Sequence, residues 1–179
     1  SDTNNEPFGT PEKSLRVWDL ETGEFIRMKN PGTVNSAAFN HDGNLIVSGN
    51  FTGQVSIWNV KTGELLKKMI GHTNGVPSVV FNHDGTKIVS GSRDKTVRVW
   101  DVATGNLLKI LKGHTKDVNT VAFNHDGTKI VSGSHDETIR VWDIENENVD
   151  NWKLLKTFLV GVDWDFSQSK LISSIAFNH

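Results

Sequence analysis

The chain contains no cysteine, so neither a disulfide framework nor a Cys-based metal site can organise it. No apolar run approaches the roughly 18 residues of a membrane-spanning helix. The polar start from Ser1 to Glu6 has none of the basic-then-apolar character of a signal peptide. Excess positive charge is also missing. Nineteen Lys and Arg against 21 Asp and Glu leave a net charge of -2, which gives no electrostatic footprint for nucleic acid. Gly-rich phosphate loops and nucleophile elbows do not occur, so no reaction and no cofactor is implied. At 36% apolar and 22% charged, the composition is that of a soluble globular protein, with neither nucleic acid nor membrane as its partner and the cytoplasm as the default location.

What the chain does have is a repeat. A segment of about forty residues recurs three times and begins and ends a fourth time, each copy carrying one equivalent Trp: Trp18, Trp58, Trp100 and Trp142. The two best copies, Gly71 to Asp101 and Gly113 to Asp143, are identical at 23 of 31 aligned positions, which chance does not produce. Both open on Gly-His-Thr, pass through Phe-Asn-His-Asp-Gly-Thr-Lys-Ile-Val-Ser-Gly-Ser, and close on Trp-Asp. Repeats of this kind bury a core only by stacking on their neighbours.

Within one copy the turn signals divide the chain into short strands. Val76, Val79 and Phe81 frame an innermost strand, and Asn82-His83-Asp84-Gly85 is turn chemistry for a hairpin. Lys87 to Ser90 predicts a second strand, Ser92 to Lys95 a second turn, and Thr96 to Trp100 a third strand alternating polar and apolar residues. Ala103 to Asn106 predicts the next turn and Leu107 to Leu111 an outer strand. The fold class is therefore all-β, with four antiparallel strands to a repeat.

The opening Gly-His, the closing Trp-Asp and the period resemble the WD-repeat β-propeller family over nearly the whole chain. The resemblance implies four blade equivalents in a single propeller or half-propeller domain spanning 1–179. Blade 1 takes about 1–29 closed by a strand at 171–179, blade 2 about 30–70, blade 3 about 71–112 and blade 4 about 113–160. It also implies a hydrogen-bonded group inside each blade: His72, Ser90, Asp94 and Trp100, and again His114, Ser132, Asp136 and Trp142. Physical chemistry supports the carry-over, because a buried indole N–H and a buried imidazole both need partners and a terminal carboxylate completes the chain. The other blades depart from the pattern. Blade 2 has Asn30 for the His, Thr52 for the Asp, and Asn59 after Trp58; blade 1 has Gln168 and Glu12, with Pro11 beside it. Blades 3 and 4 are expected to be the stiffer half.

The two ends complement each other, since the chain enters a repeat after its first strand and stops at Phe177-Asn178-His179 inside a first turn. Four blades lie at the lower limit for a closed propeller. Three arrangements are open: two chains forming one eight-bladed ring through their terminal strands, one part of a longer propeller, or a closed four-bladed monomer. The weak point is Asn4 to Phe8, a polar second strand for blade 1 containing Pro7, which cannot donate to a ladder.

Two constellations invite chemical readings. The pairs His41-Asp42, His83-Asp84 and His125-Asp126 have metal-ligand chemistry, but each falls at the same turn of its copy, and equivalent turns of radiating blades are expected to lie too far apart to share an ion. His72 with Asp94 and Ser90 has the form of a base, its orienting carboxylate and a nucleophile, yet the constellation occurs twice and belongs inside a blade. No catalytic and no metal site is therefore expected. Outer-strand lysines such as Lys67, Lys68, Lys109 and Lys112 read as solvated edge charge, and Asn50-Phe51-Thr52 as an accidental glycosylation pattern.

The departures from repetition are more informative. Blade 4 carries an insertion at Asn146 to Asp150 and unmatched tryptophans at Trp152, expected to pack at the blade edge, and Trp164, in a connection between blades. The resemblance implies docking on the face formed by inter-blade connections and second turns, which here would include Phe51, Arg93, Lys95, His135, Glu137 and Trp164. The expected function is a non-catalytic scaffold for other proteins or peptides. A lectin-like or small-ligand-binding propeller is one alternative, and a regulatory fragment of a larger multidomain protein is another.

Overall fold

Each short β-branched run is followed by an Asn-, Asp- or Gly-rich turn, so the chain doubles back on itself repeatedly. A computed structural model describes residues 15–29 and 32–160. Among the described residues there are fourteen strands and one 3-10 turn, Val149–Asn151. Strands β1 (Arg16–Trp18) and β2 (Phe25–Arg27) pair as a two-stranded sheet in blade 1. Blade 2 is a four-stranded sheet of β3 (Val34–Phe39), β4 (Leu45–Asn50), β5 (Val55–Asn59) and β6 (Leu65–Met69). Blade 3 consists of β7 (Ser78–Phe81), β8 (Lys87–Gly91), β9 (Val97–Asp101) and β10 (Leu107–Leu111). Blade 4 consists of β11 (Val118–Phe123), β12 (Lys129–Ser134), β13 (Thr138–Asp143) and β14 (Lys153–Leu159). Every pairing is antiparallel between consecutive strands. The strands expected in blade 3 differ from those observed by a residue or two at their ends, and the outer strand coincides.

The meander places the first and second turns of each sheet at opposite ends of its strands. Inner strands make the junctions, β3 against β7 and β7 against β11, and the cores lie between sheets. Val47, Val55, Ile57 and Met69 of blade 2 bury against Val76, Val79, Ile88 and Trp100 of blade 3. Val89, Val97, Val99 and Leu111 of blade 3 bury against Val118, Val121, Ile130 and Trp142 of blade 4. Trp100 and Trp142 thus pack toward the preceding blade, as Trp58 does with Met28.

Two glycines permit this close approach. A Cβ on Gly49 would stand 2.6 Å from Val76 Cγ1 and 2.8 Å from the Val76 carbonyl oxygen, and one on Gly91 would stand 2.8 Å from Val118 Cγ1. Alongside them the Val76 N–H donates to Asn50 O at 2.9 Å and the Val118 N–H to Ser92 O at 3.0 Å. The entries of blades 3 and 4 are therefore each seated in the second strand of the blade before.

Exposure rises toward both limits of the described residues. Trp18 is 54% exposed where Trp58, Trp100 and Trp142 are buried, and Phe39 is 54% exposed where Phe81 and Phe123 are partly buried. At the other end all seven residues of β14 are exposed. Trp152 differs from expectation: it is buried in the core shared with blade 3, and its indole N–H donates to Asn146 O at 2.7 Å, so the insertion folds back to satisfy it. The expected closing strand at 171–179, the Asn4 to Phe8 strand, Glu12, Asn30 and Gln168 lie outside the described residues.

Candidate functional site

Inside blade 3 the four side chains singled out by the repeat form one continuous chain. The Trp100 indole N–H donates to Ser90 Oγ at 2.8 Å, Ser90 Oγ lies 2.8 Å from His72 Nε2, and His72 Nδ1 lies 2.8 Å from Asp94 Oδ2. Blade 4 repeats it through Trp142, Ser132, His114 and Asp136 at 2.9, 2.8 and 2.9 Å. With the indole donating to serine, the hydroxyl donates to Nε2, and Nδ1–H donates to the carboxylate.

Electrostatics agree with that direction. Burial pushes the His72 and His114 imidazoles below their ordinary value, although Asp94 and Asp136 pull the other way. Burial pushes the two carboxyls up. Hydrogen bonds from His72 and Thr96 outweigh it at Asp94, and hydrogen bonds from Thr138, the Thr115 N–H and His114 outweigh it at Asp136. Both carboxyls therefore sit well below the usual carboxylate range. Neutral imidazoles thus face ionised carboxylates. Ser90 and Ser132 are fully buried and held by an indole and an imidazole, so neither is an accessible nucleophile. The arrangement holds the third strand and second turn to the entry segment in blades 3 and 4.

Reading residue types missed two members. Thr96 and Thr138 donate their hydroxyls to Asp94 and Asp136 Oδ1 at 2.6 Å. Ser92 and Ser134 bond to Asn74 O and Lys116 O, tying each second turn to the connection before it. Blade 2 keeps only part of the chain: Trp58 donates to Ser48 at 2.8 Å. There Asn50, aligned with Ser92, organises the turn, its Oδ1 accepting from Thr52 N, Thr52 Oγ1 and Gln54 N. That substitution was visible in the repeat alignment, but its consequence was not.

The expected separation of equivalent turns requires correction. The rings of His41 and His83 lie 4.4 Å apart between centroids, and those of His83 and His125 lie 5.0 Å apart. The first turns follow the innermost strands, where adjacent blades meet, so they are close. Among the described residues, no three His, Cys, Asp or Glu side chains gather tightly enough to hold one metal ion.

At the opposite end the second turns are presented to solvent. Phe51 is 49% exposed, and the Arg93 guanidinium carbon lies 5.4 Å from its ring centroid, so the second turns of blades 2 and 3 meet in a cation–π contact. Backbone bonds fix these turns: Phe51 N to Thr33 O at 3.2 Å, Arg93 N to Gly75 O at 2.9 Å and His135 N to Asp117 O at 2.9 Å. Lys95 and Glu137 are exposed at positive φ of 71° and 65°, where blade 2 has Gly53. Trp164 lies outside the described residues.

Comparisons with known proteins bear on the same segments. The family described as WD domain, G-beta repeat matches residues 63–101 and 105–143, and the Anaphase-promoting complex subunit 4 WD40 domain matches 12–80. Autophagy-related protein 16 of Arabidopsis thaliana is 28% identical over 68 residues, covering 37% of this chain. The chain spans only 13% of the length of that relative. The four-stranded antiparallel blades, the repeated Trp–Ser–His–Asp chains and the matches across three of the four repeats lead to one conclusion, that this chain belongs to the WD-repeat family.

Proposed function

We propose that this chain is a non-catalytic platform that binds other proteins or peptides at the second-turn end of its blades. The observation that carries the reading is the Phe51–Arg93 pair, an exposed ring and a guanidinium held together across two blades. Aromatic and Arg side chains dominate the energetics of protein interfaces, and a prearranged pair loses less entropy on docking. Backbone bonds from Phe51, Arg93 and His135 to the neighbouring connections add rigidity. Repetition supports the choice of end, since the second turns vary within a constant frame as Phe51, Arg93 and His135, and the first turns keep Asn-His-Asp.

The test is selection of binding peptides from a random library on the whole chain, followed by affinity measurement on variants. Phe51→Ala and Arg93→Ala should each weaken the selected peptides at least tenfold, while His41→Ala leaves them unchanged. Failure to select any saturable binder, or binding that survives both second-turn variants, would overturn the reading.

The platform works as part of a larger ring. The half-exposed Trp18 and Phe39 toward one limit of the described residues, and the exposed Leu154, Phe158 and Leu159 toward the other, favour association of two copies into an eight-bladed assembly.

A further inference from the structure

The chain contains one Asn-Gly dipeptide, Asn74-Gly75, and it lies in the connection between blades 2 and 3. Four bonds hold that connection. Thr73 N donates to Asp94 Oδ2 at 3.1 Å, Ser92 Oγ to Asn74 O at 2.9 Å, Arg93 N to Gly75 O at 2.9 Å and Val76 N to Asn50 O at 2.9 Å. Within this frame Gly75 N donates to Asn74 Oδ1 at 2.8 Å. The Asn74 side-chain amide therefore lies against the next peptide nitrogen, and Asn74 itself is exposed to water. Glycine also permits the fit against blade 2, since a Cβ on Gly75 would stand 3.3 Å from both Asn35 Nδ2 and Phe51 O. Asparagines of the first turns direct their amides elsewhere: Asn40, Asn82 and Asn124 accept through Oδ1 from the N–H groups of Leu45, Lys87 and Lys129.

We propose that Asn74 is a site of spontaneous deamidation, through a succinimide ring closed by Gly75 N. Hydroxide removes the Gly75 N–H proton, and the lone pair so exposed points along the former N–H bond, toward the Asn74 amide. Attack forms the bond from Gly75 N to Asn74 Cγ. The Cγ–Nδ2 bond then breaks, and ammonia leaves with a proton from water, which restores the hydroxide. Water opens the ring at one of its two carbonyls to give Asp or isoaspartate, and nothing is oxidised or reduced. A nucleophile already in contact with the amide it attacks needs little reorientation to react. Either product places a carboxylate in the connection that Arg93 N and Ser92 Oγ bind. In the isoaspartyl form the former Asn74 carbonyl becomes that carboxylate and the main chain gains a methylene, so the two bonds lose their common register. Negative charge thus accumulates with time beside the Phe51–Arg93 pair.

The full chain is held in neutral and in mildly alkaline buffer, with and without urea, and sampled by peptide mapping with mass spectrometry that separates Asp from isoaspartate. Circular dichroism checks that the chain without urea stays folded. The peptide holding Asn74 should gain the mass of an amide-to-acid exchange, at a rate that rises with hydroxide and that in the folded chain at least equals the rate in urea. Peptides holding Asn82 and Asn124 should stay unchanged over the same period. Asn74→Gln should suppress the reaction, because the larger ring closes far more slowly, and so ties the mass gain to this position. Absence of conversion at Asn74, equal conversion at Asn82, or a folded rate about tenfold or more below the rate in urea would each overturn the proposal.

Discussion

Trp58 donates its indole N–H to Ser48 at the same 2.8 Å that separates Trp100 from Ser90, but only the Ser90 hydroxyl meets an imidazole beyond it. Blade 2 therefore keeps the indole bond and lacks the His–Asp end. This relocates the difference in stiffness between blades. Trp58→Phe and Trp100→Phe remove equivalent bonds and should cost similar amounts. Asp94→Ala leaves the buried His72 Nδ1–H with only the longer 3.3 Å contact to Thr96 Oγ1 and should cost about 1–3 kcal/mol, well above Thr52→Ala. Denaturant midpoints of the four variants measure this, and an Asp94→Ala midpoint equal to that of Thr52→Ala contradicts the network's role.

Acid should weaken the fold in two stages. His72 and His114 are held below their ordinary 6.5, so between that value and the lower folded one the unfolded chain binds protons that the folded chain does not. Their stability contribution is complete above about pH 6.5 and shrinks as pH falls below it. Asp94 and Asp136 are held below their ordinary 3.8, so a second loss begins below about pH 3.8. Urea midpoints at pH 7.5, 5.5 and 3 should fall in that order, and His72→Gln with His114→Gln should flatten the step between pH 7.5 and 5.5.

Lys95 and Glu137 occupy a left-handed conformation that blade 2 assigns to Gly53. A side chain there costs about 1–2 kcal/mol, partly offset by the entropy that glycine loses on folding. Lys95→Gly should be neutral or raise the thermal midpoint, whereas β-branched Lys95→Val should lower it clearly. Scanning calorimetry of the pair decides the point: a fall with Lys95→Gly as large as that with Lys95→Val would mean that the Lys95 side chain, and not its backbone, sustains the turn.

Association of two copies is a matter of mass. Light scattering on the purified chain should report about twice 19.9 kDa, and removal of residues 171–179 should reduce it to the monomer value. A single monomeric species before and after that deletion rules out the dimer.

How much of this was legible in the sequence depends on where each property resides. The strands of blade 3 could be drawn from turn chemistry, because Asn82-His83-Asp84-Gly85 and Ser92 to Lys95 leave the chain little alternative locally. His72, Ser90, Asp94 and Trp100 could be grouped because the repeat carries them as a set. The contact of His41 with His83 could not, since it depends on how closely inner strands of successive blades approach, a dimension that no single repeat contains. Nor could the burial of Trp152, which follows from the path of an insertion with no counterpart in the other copies.

The seating of Val76 against Gly49, and of Val118 against Gly91, gives the array a direction. Blades 2 and 3 each offer a finished socket to the blade that follows in the chain, and blades 3 and 4 each seat their entry in the blade before. During synthesis, N-terminal portions leave the ribosome first, so every new blade meets a template already in place. The same polarity means that each socket is held shut by its successor: withdrawing Val76 or Val118 frees the second strand of the blade before it, whereas the blade that is withdrawn keeps its own socket intact.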